Sequence, residues 1–136
     1  MTDPVQRLDF GRVSVFLGHK SGKYPDGNQV VVRGSDTRVA FDTPLVANRI
    51  GAELDAAELI LLGHVHEDHM AGLHRLPRAA VQAHELDVDA VRSWDALRRH
   101  YGVRAAVADA LLDKLRREFF YVPRPDASGY ADGALW

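Results

Sequence analysis

Three histidines and an aspartate lie within six consecutive positions near the middle of the chain. They are His64, His66, Asp68 and His69, in the run GHVHEDH. The apolar residues 59–62 come directly before the run and predict a short buried β-strand that ends at it. Side chains two apart on an extended chain point to the same side, so His64 and His66 can face one point. A helical turn after the strand would bring Asp68 and His69 towards the same cavity.

The chemistry of these four side chains indicates a metal ion. Imidazole nitrogen and carboxylate oxygen suit zinc, iron and manganese alike, so the residue types leave the choice of metal open. The competing interpretation is a polar loop at the end of a strand, and it does not explain why four potential ligands converge. The chain has no cysteine, which excludes thiolate ligands and disulfides.

The run His-x-His-x-Asp-His after an apolar strand resembles the signature of the metallo-β-lactamase superfamily, and is similar to its glyoxalase II-like and general metallohydrolase branches. Neighbouring segments follow the order of that family. Residues 27–33 resemble its early strand, 39–43 the strand that ends in an Asp-Thr turn, and 81–85 the strand and helix start after the signature. The resemblance extends over most of residues 12–92.

The resemblance implies a metal-dependent hydrolase. In such a site His64 and His66 hold a first metal ion, and Asp68 and His69 hold a second. Asp68 also orients or deprotonates the attacking water, and Asp42 orients a ligand histidine from behind. The expected cofactor is one or two zinc ions, with iron or manganese as alternatives. The expected reaction is attack by metal-activated water on an ester, thioester, lactam or phosphodiester in a small-molecule substrate.

The sequence has a counterpart for only the first half of the family's two-part fold. We therefore expect an α/β domain that forms the N-terminal half of an αββα sandwich, with a mixed sheet and flanking helices, in a truncated or split chain. Two ligands per metal are fewer than zinc sites contain, which predicts weak or absent metal in the isolated chain. The expected partner is the missing C-terminal half or another copy of the chain, covering an apolar sheet face. The alternative is an inactive remnant that acts as a binding or assembly module.

The hydrophobic patterns predict one domain. Residues 12–92 hold the sheet and the metal motif, 93–122 form a helical segment, and 123–136 form a mobile tail of small and turn residues. The predicted strands are 13–17, 30–33, 38–42, 58–62 and 79–83, and the predicted helices are 45–54, 69–76, 84–93, 95–100 and 104–120.

Other polar residues receive ordinary interpretations. Glu67 is expected to point outward between the ligands, and Tyr24 to lie in a surface loop that borders the active-site cleft of the family. His84 is expected to cap a helix or face solvent, and His74 and His100 to face solvent.

Composition argues against two further classes of partner. The 136 residues include 17 Lys and Arg and 19 Asp and Glu, a formal net charge of −2, so no basic surface for nucleic acid is predicted. No apolar stretch approaches the roughly 20 residues of a membrane span. The N-terminus lacks a signal-peptide pattern, and a cytoplasmic location is therefore expected.

Overall fold

A computed structural model describes residues 4–135, and Trp136, the last residue of the predicted tail, lies outside that range. The described part contains a seven-stranded sheet with its strands side by side in sequence order. The strands are β1 (Arg7–Phe10), β2 (Val13–Phe16), β3 (Gln29–Arg33), β4 (Arg38–Phe41), β5 (Leu59–Leu61), β6 (Ala80–His84) and β7 (Ser128–Tyr130). Strands β1 to β4 are antiparallel to one another and β4 to β7 are parallel. The predicted α/β domain with a mixed sheet is confirmed.

Helices cover one face of this sheet. They are α1 (Ala52–Asp55), α2 (Val88–Arg92), α3 (Trp94–Tyr101) and α4 (Ala105–Phe119), with short 3₁₀ turns at His19–Ser21, Leu45–Arg49, Glu67–His69 and Leu73–Arg75. Alternate strand residues point towards the helices, among them Val31, Ala40, Ile60 and Val81, each no more than 1% exposed. The core therefore lies between the sheet and its helices.

The other face of the sheet carries apolar side chains that stay half-buried or exposed within residues 4–135. In-register pairing places them in two rows, Leu8, Val15, Val30, Phe41 and Leu61 in one and Phe10, Val13, Val32, Val39 and Leu59 in the other. Phe10 is 65% exposed and Phe41 is 42% exposed. We call these ten residues the open face.

Two predicted helices are wrong. Residues 45–54 form a 3₁₀ turn and the separate short helix α1, because Ile50 has an extended backbone. Instead of one helix, residues 69–76 contain the last residue of the 3₁₀ turn Glu67–His69 and a separate 3₁₀ turn, Leu73–Arg75, which follows Gly72. The backbone of Gly72 packs so closely on Ala47 that an added Cβ would lie 2.7 Å from the alanine Cβ. The position is therefore set by tertiary packing, which overrides the helical pattern.

Two strands lie where the sequence pattern predicts none. Strand β1 is exposed along its whole length and, within residues 4–135, is the edge strand next to β2. Strand β7 lies inside the segment predicted as a tail and pairs in parallel with β6. None of the helices within residues 4–135 combines the length and hydropathy that crossing a bilayer requires.

Candidate metal centre

The histidine-aspartate motif follows β5 at the edge where parallel strands end. Asp42 directly follows β4 at the same edge. Leu62 extends the pairing of β5 by donating its backbone N–H to the carbonyl of Gln82 (2.9 Å). The chain then turns at Gly63, and Glu67–His69 forms a single 3₁₀ turn. This edge of a parallel sheet is where ligand sites of α/β folds are usually found.

The first two histidines are in direct contact. Nε2 of His64 lies 2.9 Å from Nδ1 of His66, and their ring centroids are 4.0 Å apart. The ring of His69 lies 5.2 Å from that of His64. Burial, and then the neighbouring His64, lowers the pKa of His66 below its ordinary value of 6.5. A low pKa favours the neutral imidazole, which is the form that binds a metal.

Asp68 and His69 form a second pair of donors, with Asp42 behind them. Oδ2 of Asp68 lies 3.7 Å from Nε2 of His69. On the other side of the ring, Oδ2 of Asp42 lies 3.0 Å from Nδ1 of His69, although the carboxylate is out of line for a hydrogen bond. Interaction with Asp42 raises the pKa of His69. In the neutral ring, a proton on Nδ1 facing Asp42 leaves the Nε2 lone pair directed towards Asp68. The raised pKa favours a second proton on Nε2, which a metal ion would have to displace.

Asp42 is held in place by the backbone around it. It has a left-handed conformation with φ 58°. Its Oδ1 accepts the Gly63 N–H (2.8 Å), and its own N–H donates to the carbonyl of Leu61 (2.9 Å). The buried Gln29 donates its side-chain N–H to the Asp42 carbonyl (3.0 Å). The carboxylate therefore joins the end of β4 to the start of the motif and reaches His69.

The two donor pairs suit zinc in chemistry and spacing. Ligand atoms about 2.0–2.1 Å from a tetrahedral zinc ion lie roughly 3.3 Å from each other. The pair separations here are 2.9 Å for His64 and His66 and 3.7 Å for Asp68 and His69. Within residues 4–135, however, no three His, Asp or Glu side chains form a group able to hold an ion. Each pair thus supplies two ligands of an incomplete set.

Glu67, expected to point outward, is instead held by two tyrosines. Its carboxylate accepts hydrogen bonds from the hydroxyls of Tyr24 (2.8 Å) and Tyr101 (2.7 Å). Its backbone N–H donates to the hydroxyl oxygen of Tyr101 (2.9 Å). Burial alone would raise the pKa of Glu67, but the hydrogen bonds from Tyr101 and Tyr24 keep that pKa below its ordinary value. The hydrogen bond to Glu67 raises the pKa of Tyr24 to about 12, so this phenol stays protonated at neutral pH.

Two further histidines pair with residues outside the motif, and a third lies beside His66. Nε2 of His84 lies 2.9 Å from Oδ1 of Asp132, and its Nδ1 accepts the Leu86 N–H (3.2 Å), so neither ring nitrogen is free. His74 is exposed, as expected, and its Nε2 lies 2.6 Å from the side-chain oxygen of Asn48. His100 is exposed, and its ring lies 5.6 Å from that of His66.

A cavity of about 210 Å³ opens beside the second donor pair. It lies between the loop 22–28 on one side and Asp42, Asp68 and His69 on the other. The loop is fixed by the buried Asp26, a residue that is not among the predicted site residues. A cavity beside the expected ligands gives a small molecule access to Asp68.

Asp26 accepts four hydrogen bonds. Three come from the backbone N–H groups of His19, Gly27 and Val46, each 2.8 Å long, and one comes from the guanidinium of Arg49 (2.7 Å). Burial alone would raise the pKa of Asp26, but Arg49 and the three backbone groups together lower it. The carboxylate therefore stays ionised and ties the loop to the turn Leu45–Arg49.

The chain resembles known proteins in its three-dimensional structure, whereas the comparisons of its sequence give no match. No protein-family model and no curated protein matches the chain. The native FEZ-1 metallo-β-lactamase from Legionella gormanii matches with a TM-score of 0.65 and 15% identity over 98% of this chain and 49% of that one. The hydrolase AbOPH of the β-lactamase superfamily matches with a TM-score of 0.56 and 12% identity, over 98% of this chain and 63% of that one.

A motif mutant of a metallo-β-lactamase from Cronobacter sakazakii matches with a TM-score of 0.55 and 20% identity, over 98% of this chain and 50% of that one. The chain thus spans about half the length of the FEZ-1 and Cronobacter structures that it matches. Identities this low establish the fold and leave the reaction open. The sheet order and these matches agree with the predicted resemblance, and the chain has the fold of the metallo-β-lactamase superfamily.

Proposed function

We propose that this chain supplies part of the metal site of a hydrolase of the metallo-β-lactamase type. The observation that carries the proposal is the meeting of two donor pairs at one sheet edge, with Asp42 behind His69. His64 and His66 would hold one ion, and Asp68 and His69 a second. Zinc suits this donor set, and iron and manganese are alternatives. A bound zinc ion lowers the pKa of a coordinated water towards neutrality and polarises the oxygen of the scissile bond.

The side chains around the site have separate tasks in this proposal. Asp42 orients the imidazole of His69 through Nδ1, so that Nε2 remains a ligand atom. The lowered pKa of His66 keeps its ring neutral near pH 7. Asp68 faces the cavity and can orient or deprotonate the attacking water. The substrate would be a small ester, thioester, lactam or phosphodiester bound between the loop 22–28 and Asp68.

Hydrolysis of generic substrates tests this function. The chain is supplied with millimolar zinc, either together with the second half of the fold or at concentrations at which it self-associates, so that a partner can complete the site. It is then expected to hydrolyse at least one of a thioester, a lactam and a phosphodiester, and to lose that activity on chelation. The alternative is a binding or assembly module that kept half of a metal site, and the lack of a three-ligand group within residues 4–135 favours it. Zinc binding without turnover of any of the three substrates would support that alternative.

The open face is the surface on which we expect a partner polypeptide to bind. We propose that another polypeptide covers it, either the second half of the fold or another copy of the chain, because ten apolar side chains in two rows form a continuous surface. We expect light scattering to show a mass that rises with concentration. Replacing Phe41 with lysine should weaken this association by about tenfold to a hundredfold, the cost of leaving one large side chain unburied.

The matched control for that substitution is Val107→Lys. Val107 is 56% exposed on α4 and is not one of the ten residues of the open face. The substitution Val107→Lys should therefore leave the association unchanged. A wild-type chain that remains monomeric at every concentration would contradict self-association and would leave the second half of the fold as the proposed partner.

A further inference from the structure

We infer that Tyr24 and Tyr101 are positioning residues for the metal motif, and that they act by holding Glu67. The inference rests on the proposed metal site. Glu67 lies between two proposed ligands and begins the 3₁₀ turn Glu67–His69, with His66 directly before the turn and Asp68 inside it. Side chains at successive positions of such a turn point in different directions. Fixing the side chain of Glu67 on one side therefore fixes the directions of its two neighbours.

Three hydrogen bonds hold Glu67 in place. The Tyr101 hydroxyl donates to Oε2 of Glu67 and accepts the backbone N–H of the same residue, so Glu67 and Tyr101 form a closed ring. The Tyr24 hydroxyl donates to Oε1, the other carboxylate oxygen. Both the main chain and the side chain of Glu67 are therefore held. Hydrogen bonds to an ionised acceptor are stronger than those between neutral groups.

The two tyrosines come from distant parts of the chain. Tyr24 lies in the loop that forms one wall of the cavity, and Tyr101 is the last residue of α3. The Tyr101 ring also lies against His66, with centroids 5.1 Å apart. The loop 22–28 and helix α3 therefore each supply one tyrosine that holds the motif. A site with few ligands depends strongly on such preorganisation, because each ligand that must be ordered on binding weakens affinity.

Zinc titration of three variants tests the inference, with the histidine side-chain nitrogens observed by NMR. Tyr101→Phe and Glu67→Gln are each expected to weaken zinc binding about 10- to 100-fold, the usual cost of losing a group that orients a ligand. Tyr24→Phe should have a smaller effect, because Tyr24 is 65% exposed and water can replace its hydroxyl. In the metal-free chain, Tyr101→Phe should also shift the ring-nitrogen signals of His66.

Tyr121→Phe is the matched control. Tyr121 is a buried tyrosine whose hydroxyl has no hydrogen-bond partner within the described residues. Its substitution should leave both zinc affinity and the His66 signals unchanged. If Tyr101 had a merely structural role, Tyr101→Phe would lower the unfolding temperature and leave the zinc affinity of the folded chain at the wild-type value.

Zinc affinity tests the proposed metal site, and the His66 signals of the metal-free chain test the positioning role of the tyrosines separately. If the wild-type chain binds no zinc at millimolar concentration, as its incomplete ligand set allows, the metal-free His66 signals alone decide whether the tyrosines position the motif. Wild-type zinc affinity in Tyr101→Phe and Glu67→Gln, together with unchanged His66 signals, would overturn the inference.

Discussion

Replacing His66 with alanine is expected to weaken zinc binding by the chain at least about 100-fold, since loss of a ligand should cost no less than loss of a group that orients one. The reason is the small number of ligands. Each donor pair supplies two, and a zinc site needs at least three protein ligands or their equivalent from a partner. Removing His66 leaves His64 without the ring that lies 2.9 Å from it. Competition with a chromophoric chelator measures the affinity.

His19→Ala is the matched control for this substitution. His19 is exposed at the start of a 3₁₀ turn and belongs to neither donor pair, so its loss removes one imidazole without touching the motif. The affinity of this variant should equal that of the wild type. The opposite pattern, with His66→Ala unchanged and His19→Ala impaired, would place the zinc outside the motif.

Replacing Asp26 with alanine is expected to lower the free energy of unfolding by about 3–5 kcal/mol, the usual cost of removing one partner of a buried ion pair. The substitution leaves the guanidinium of Arg49 and three backbone N–H groups without their acceptor. The buried N–H of Val46 cannot turn to water for compensation. Urea denaturation followed by circular dichroism measures the change.

Asp26→Asn and Asp36→Ala complete this test. Asparagine keeps one acceptor oxygen and loses the charge, so it should destabilise the chain less than alanine does. Asp36 is exposed in the turn between β3 and β4, and its replacement should change the free energy of unfolding by less than about 0.5 kcal/mol. Equal stability of Asp26→Ala and Asp36→Ala would contradict the structural role of Asp26.

The contribution of Asp26 also has a pH dependence of known sign. Its pKa in the folded chain lies below the ordinary value of 3.8. The stabilisation is therefore fully present above that ordinary value and is lost as the pH falls through the lower, folded pKa. The difference in stability between the wild type and Asp26→Asn should accordingly shrink in strongly acidic solution. A difference that stays constant from neutral pH to pH about 2 would contradict this linkage.

The strand and the motif could be predicted because their signals are local. Spacing alone indicates that His64 and His66 share one side of an extended segment, and the apolar run before them predicts β5. The resemblance to a known family suggested Asp42, which lies 3.0 Å from His69 in the structure. No local pattern links Asp42 to His69, since 27 positions separate them.

The contacts that hold the motif could not be predicted in the same way. Glu67 looks like a solvent-facing residue, and its partner Tyr101 lies 34 positions further along the chain. The packing of Gly72 on Ala47 likewise has no signature in the helical pattern that it breaks. Tertiary packing decides such features, and one sequence shows only the local preferences that packing overrides. Asp26 is an intermediate case, because its place in a Pro-Asp-Gly turn is a signal for side-chain hydrogen bonds to the backbone.

Crystals of the chain grown with millimolar zinc, measured on both sides of the zinc absorption edge, show whether His64, His66, Asp68 and His69 belong to a metal site. We predict anomalous density about 2.0–2.2 Å from Nε2 of His64 and Nδ1 of His66, from Asp68 and Nε2 of His69, or from both pairs. Anomalous density confined to other residues, or absent from the motif with its imidazoles turned into solvent, would contradict the proposed metal site.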